Sequence, residues 1–93
     1  MNFIELFNGV ITLAKPVSAE DSHATSMQDQ LADLKLDSLD TIMLAMYVGE
    51  IYGIEEDIMR EMQVKTVEEL HAFLDANKTR TPTDVKAELS RVK

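Results

Sequence analysis

The chain has 93 residues, 45% of them hydrophobic, with no cysteine and a formal charge of −8. That length allows one domain with a core of about four short helices. The lack of cysteine excludes disulfides and thiolate metal sites, the acidic balance argues against nucleic acid, which demands clustered Lys and Arg, and no apolar run is long enough to span a bilayer.

Glycine and proline are scarce and runs such as Val10-Ile11-Thr12 are few, so the fold class expected is all-α. The charge is uneven: −10 up to Lys78 and +2 from Thr79 to Lys93. An acidic body attracts basic partner surfaces and speeds encounter, although such charge also serves plain solubility.

Asn2 is placed to cap a first helix in which Phe3, Phe7, Val10 and Ala14 recur at helical spacing, flanked by Leu6 and Ile11. Pro16 ends it near Lys15. From Lys15 to Leu36 the composition turns polar, which predicts a long first loop anchored by Val17, Met27, Leu31 and Leu34, with a short helical turn between Met27 and Asp33. Val17-Ser18-Ala19 has the form of a signal-peptide cleavage site. The basic start is missing and Glu5 interrupts the apolar run, so a cytoplasmic protein is expected instead. His23 in the loop and His71 further on lack the carboxylates or cysteines of a metal site. Asp33, Asp37 and Asp40 lack the ligand spacing and central glycine of a calcium loop.

The stretch Leu36-Asp37-Ser38-Leu39-Asp40 opens the central helix. Asp37 or Ser38 can serve as N-cap, accepting a backbone N–H that the first turn leaves unpaired. The same amides and the positive end of the macrodipole favour a phosphate ester on Ser38 by ~0.3–1 kcal/mol. The helix then runs to Tyr52-Gly53 and is apolar on nearly every side. Thr41, Leu44, Ala45, Val48, Ile51 and Tyr52 share one face; Leu39, Met43, Met46 and Glu50 share the opposite one, with Ile42 and Tyr47 on the flanks. A chain this short cannot bury such a helix all round. One face is therefore assigned to the core and the other to a partner.

Gly53 suits the left-handed residue that closes a helix. Ile54, Ile58 and Met62 then recur every four residues through an acidic stretch, enough for one or two turns. Thr66-Val67-Glu68-Glu69 has the pattern of a capping box opening a helix whose inward stripe is Val67, Leu70, Phe73 and Leu74, ending near Asn77 or Lys78. That stripe should pack with Phe7, Leu44 and Val48. Thr81-Pro82-Thr83-Asp84 offers a last helix start with Pro82 at its first position, and Val85, Leu89 and Val92 form a narrow seam. A helix so short is marginal in water unless it docks, so a frayed or marginally helical tail is expected ahead of a docked helix.

The run Asp33 to Thr41, the helix after it, the stop at Tyr52-Gly53 and the cap at Thr66 resemble the acyl carrier proteins, the four-helix carriers of fatty acid and polyketide synthesis. The resemblance extends over Met27 to Asn77. It implies a small four-helix bundle in residues 1–78 with a long first loop and a short third helix, residues 79–93 being an extension, and it implies a monomer without catalysis of its own. By resemblance Ser38 receives 4'-phosphopantetheine from coenzyme A, and Asp37 helps a phosphopantetheinyl transferase place its magnesium. Leu39, Asp40, Met43, Met46 and Glu50 would meet acyl-transfer, condensing or modifying enzymes. Leu44, Val48, Ile58, Met62 and Leu70 would line a pocket for the acyl chain. Two departures stand out. Lys35 occupies a position that is often glycine in the family, and Met43 and Gly49 stand where acids are common, so partner recognition should lean toward the hydrophobic.

A peptidyl-type carrier has the same architecture. From another class, an unmodified helical interaction module would use the Leu39, Met43, Met46 face directly. A serine hydrolase needs a base near the nucleophile and a strained elbow, neither of which is legible.

Overall fold

Asn2 does cap the first helix: its Oδ1 accepts the amides of Ile4 at 2.9 Å and Glu5 at 3.3 Å. The computed structural model describes residues 2–92; Met1 and Lys93, the outer ends of the two segments expected at 1–78 and 79–93, lie outside the described residues. Five α-helices follow one another: α1 (Phe3–Ala14), α2 (Ser38–Tyr52), α3 (Glu56–Arg60), α4 (Val67–Asn77) and α5 (Val85–Val92). Short 3-10 turns occupy Ala19–Ser22 and Leu31–Leu34. Among the described residues there is no strand, only an isolated bridge between Gln30 and Thr66, and the all-α fold expected from composition is what forms.

The core is where the helical periodicities meet. Leu6, Phe7, Val10 and Ile11 of α1, Val48 and Ile51 of α2, and Val67 and Leu74 of α4 have no exposed surface. Each such side chain contributes ~1.5–3 kcal/mol by leaving water. Phe73, expected beside them, is only half-buried. Phe3 instead stacks on the His71 ring at 4.4 Å between centroids, which gives that histidine a packing role.

The first loop is held from both sides. The Asn8 amide of α1 donates to the Ala24 carbonyl at 2.9 Å, and its Oδ1 accepts the Ala24 amide at 2.7 Å. On the other side Leu31 donates to the Lys65 carbonyl at 2.8 Å, while the Val67 and Glu68 amides donate to the carbonyls of Asp29 and Met27. The loop thereby supplies acceptors for the first turn of α4. Thr66 accepts the Glu69 amide at 3.1 Å as the sequence suggests, but the Glu69 carboxylate reaches past it to the Lys65 amide at 2.7 Å, so only half of the capping box closes. The Thr25 amide, foremost, holds the Asp29 carboxyl below its ordinary value; desolvation opposes it, and the Ser26 amide and the Thr25 hydroxyl add to the lowering. Val17 departs from expectation: it is 80% exposed, and Ala19, Ser22 and Ala24 anchor the loop in its place. Ser18 turns left-handed directly after Val17, and the small residues beyond that turn are the ones that face in.

The tail, expected frayed or marginally helical, forms α5 and packs on α1 and α2. The chain first crosses the end of α2, where the Thr79 and Arg80 amides donate to the Tyr52 carbonyl at 2.9 and 3.2 Å and the Thr79 hydroxyl donates to the Gly53 carbonyl. Pro82 is buried ahead of the helix rather than opening it, and Asp84 accepts the Ala87 amide at 2.9 Å as the cap. Leu89 settles over Gly9 of α1, where a side chain would block it. Glu88, 7% exposed, lies between Arg80 at 3.5 Å and Arg91 at 3.3 Å. The seam Val85, Leu89 and Val92 was sufficient because α1 and α2 provide a surface to receive it.

Removal of residues 79–93 should therefore cost about 2–4 kcal/mol, a fall in Tm of roughly 10–20 °C. Thermal unfolding followed by circular dichroism checks this. A truncated chain with an unchanged Tm would mean that α5 lies outside the cooperative unit.

Candidate functional site

The start of α2 is fixed by a reciprocal pair of carboxylates. Asp37, extended at the N-cap, accepts the Asp40 amide on Oδ1 at 2.8 Å, and Asp40 Oδ2 accepts the Asp37 amide at 3.2 Å. This is a complete capping box with Asp40 in the role usually held by Glu or Gln. Thr41 adds a hydroxyl bond to the Asp37 carbonyl at 2.9 Å. Of the alternatives open in the sequence, Asp37 is the cap and Ser38 is the first helical residue.

That choice frees the serine. Ser38 is exposed, and among the described residues no hydrogen bond engages its hydroxyl. Its own amide and that of Leu39 precede the first intrahelical bond, from the Thr41 amide to the Asp37 carbonyl at 3.0 Å. They face outward at the positive end of the helix dipole. The approach to the serine is held as well. Lys35 sits in the left-handed region at φ 59°, a conformation that costs a non-glycine residue about 1–2 kcal/mol. The Lys15 ammonium donates to the Lys35 carbonyl at 3.1 Å and to the buried Ser22 hydroxyl at 3.2 Å, pinning the turn.

Beyond its first turn α2 shows two unlike sides. Leu44, Val48, Ile51 and Tyr52 are buried, and burial, with a smaller effect from Asp75, pushes the Tyr52 phenol up to about 12. On the other side Leu39 is 66%, Ile42 57% and Met46 60% exposed. Glu50 is exposed and Asp40 and Met43 are half-buried. Of the residues assigned to a partner face, Leu39, Met46 and Glu50 do share the outward side. Ile42 belongs there more than Met43 does: the core lies slightly off the centre of the apolar arc, and that tilt turns Ile42 out and Met43 in.

Next to this outward side a groove of about 670 Å³ runs between α2 and α3. Thr41, Ile42, Ala45, Met46 and Gly49 form its α2 wall, Ile54, Met59 and Met62 the opposite wall, and Glu50, Glu56 and Arg60 its charged edge. The groove begins at Thr41, about 4.5 Å of helical rise from Ser38. Gly49 is buried here, not a blank in an acidic face: a side chain at this position would meet Met59 at 3.0 Å, so its absence lets α3 lie close. Of the residues assigned to an acyl pocket, Met62 lines this groove. Ile58 is half-buried beside the core, and Leu44, Val48 and Leu70 are sealed inside the core, with exposures of 5%, 0% and 1%. Ile42 and Ala45 were missed, whereas Met59, like Met62, comes from the stretch expected to form a short third helix bordering such a cavity. The i, i+3 spacing of Ile42 and Ala45 signals a shared strip, but periodicity alone does not turn that strip toward α3.

Among the described residues no group of three or more His, Cys, Asp or Glu side chains is arranged to hold a metal ion, and no helix is long and apolar enough to cross a membrane. His23 reaches the Thr12 hydroxyl at 3.0 Å, and His71 lies 3.5 Å from Asp75.

The cap and the serine make separable contributions. Asp37→Ala should lower stability by about 1 kcal/mol, while Ser38→Ala stays within about 0.5 kcal/mol of the parent. Urea midpoints distinguish them, and the reverse order would make Ser38 the cap.

A protein named acyl carrier protein, from Coprothermobacter proteolyticus, is 34% identical over 65 residues, which cover 70% of this chain and 79% of that protein. No family model matches the chain, and no solved structure matches it.

Proposed function

The chain belongs to the acyl carrier protein family, and we propose that it holds acyl intermediates as thioesters on a 4'-phosphopantetheine arm attached to Ser38. The observation that carries this reading is the exposed Ser38 hydroxyl, left free because Asp37 and not Ser38 caps α2. On this reading the helices α1 to α4 are the four-helix carrier unit of residues 1–78, and α5 is an addition docked to it.

The residues suit the group. The Ser38 oxygen becomes the ester oxygen of a phosphodiester, and the exposed amides of Ser38 and Leu39 offset part of the repulsion from Asp37 and Asp40. Asp37 spends one carboxylate oxygen on the cap; the other remains for the magnesium of a phosphopantetheinyl transferase. Once bound, the arm supplies the thiol that a cysteine-free chain lacks. The carrier does no catalysis itself: it presents a cargo to acyl-transfer, condensing or modifying enzymes. We assign their docking to Leu39, Ile42 and Met46, with Asp40, Met43 and Glu50 around them. The groove between α2 and α3 is the natural first shelter for an acyl chain, because it starts one turn from Ser38 and is walled by adaptable methionines. Leu44, Val48 and Leu70 would take part only if the core parted further.

Incubation with a promiscuous phosphopantetheinyl transferase, magnesium and coenzyme A tests the attachment. The parent should gain the mass of one phosphopantetheine and Ser38→Ala none. A parent that starts unmodified and gains nothing would favour an unmodified interaction module working through the same exposed side of α2.

Ile42→Glu and Met46→Glu should slow loading by the transferase about fivefold or more while changing stability little. Leu44→Ala, in the core, should instead cost ~2–5 kcal/mol. Steady-state loading kinetics beside urea denaturation separate the two effects, and loading indifferent to both glutamates would remove this side of α2 from the docking surface.

A further inference from the structure

Two acidic residues edge the groove between α2 and α3 close to the exposed apolar strip, and each already has an arginine of its own chain. Glu56 pairs with Arg60 at 2.7 Å within α3. Glu50 is held from outside the carrier unit, by Arg91 of α5. That guanidinium is used on three sides: Nε donates to Glu88 at 3.3 Å, Nη2 donates to the Glu50 carbonyl at 3.2 Å, and Nη1 lies 3.9 Å from the Glu50 carboxylate. The almost fully buried Glu88 orients it.

We propose that Arg91 is a cis-acting competitor: it supplies to Glu50 the cation that a basic partner helix would otherwise bring, and so sets how strongly the α2 surface selects for charge. The inference rests on the docking face assigned to α2 above. The partner chemistry follows from charge complementarity, since residues up to Lys78 carry −10 while the tail carries +2, and the exposed Leu39, Ile42 and Met46 call for an apolar stripe beside the basic one. The Arg91–Glu50 contact is half exposed, with side-chain exposures of 38% and 59%. A pair of this kind shifts an equilibrium by no more than about fivefold. It tunes the surface without closing it.

The probe is a short amphipathic helix of leucine and lysine, titrated into the full chain at low and at high salt. Arg91→Ala should tighten binding about threefold at low salt, and Glu50→Gln should weaken it by a similar factor. In the Glu50→Gln background Arg91→Ala should have no effect, and all differences should shrink at high salt. Equal affinities throughout would overturn the proposal. So would tightening by Arg91→Ala that survives in the Glu50→Gln background, since that would report loosening of α5 and not release of Glu50. Loading of Ser38 is scored separately by mass: a chain that loads but shows no coupling refutes only this inference, and a chain that shows coupling but never loads refutes only the carrier reading.

Discussion

α2 carries apolar side chains around its whole circumference, and the other helices can cover only part of it. Burying Leu44, Val48, Ile51 and Tyr52 against α1 and α4 leaves Leu39, Ile42 and Met46 in water. α3, at five residues, is too short to cover them. It lies down only beside Gly49, where the missing side chain admits Met59, and the groove is the space left over. Covering Leu39, Ile42 and Met46 would stabilise the chain further, and that exposure is what the proposed docking role would account for.

The two ends of α2 are secured by different means. At its start the Asp37 and Asp40 carboxylates satisfy each other's amides, which is a local device written within four residues. At its end Gly53 turns left-handed at φ 66°, and the returning tail brings the amides of Thr79 and Arg80 to the Tyr52 carbonyl. The helix on which the serine is mounted is thus braced by the segment that leads into α5. The extension is part of the scaffold that orients the site, and through Arg91 it also touches the edge of the groove.

Much of this was legible because it depends on short-range pattern. The Asn2 and Thr66 caps, the stop at Gly53 and the start at Asp37-Ser38 are each encoded by residues within one turn. What the sequence hid were relations between distant segments. Whether Glu69 bonds Thr66 or Lys65 depends on how the first loop approaches α4. Val17 has an anchor's chemistry, yet it lies in water beside the left-handed turn at Ser18. The choice of Ile42 over Met43 on the outward side turns on a rotation of α2 that periodicity does not resolve. Leu44, Val48 and Leu70 read equally well as core or as pocket lining, and only the position of α3 distinguishes the open strip from the sealed one. The tail looked marginal alone, since the surface over Gly9 that receives Leu89 lies about eighty residues away.

On the proposed function, the working side of α2 is the one running from Ser38 along Ile42 and Met46 toward α3. Methyl chemical shifts, compared between the phosphopantetheine form and the same protein carrying an octanoyl thioester, test it most directly. The largest changes should fall at Ile42, Met46, Met59 and Met62, with Leu44, Val48 and Leu70 nearly still. The largest changes at those three core residues would contradict it and would place the cargo inside the bundle.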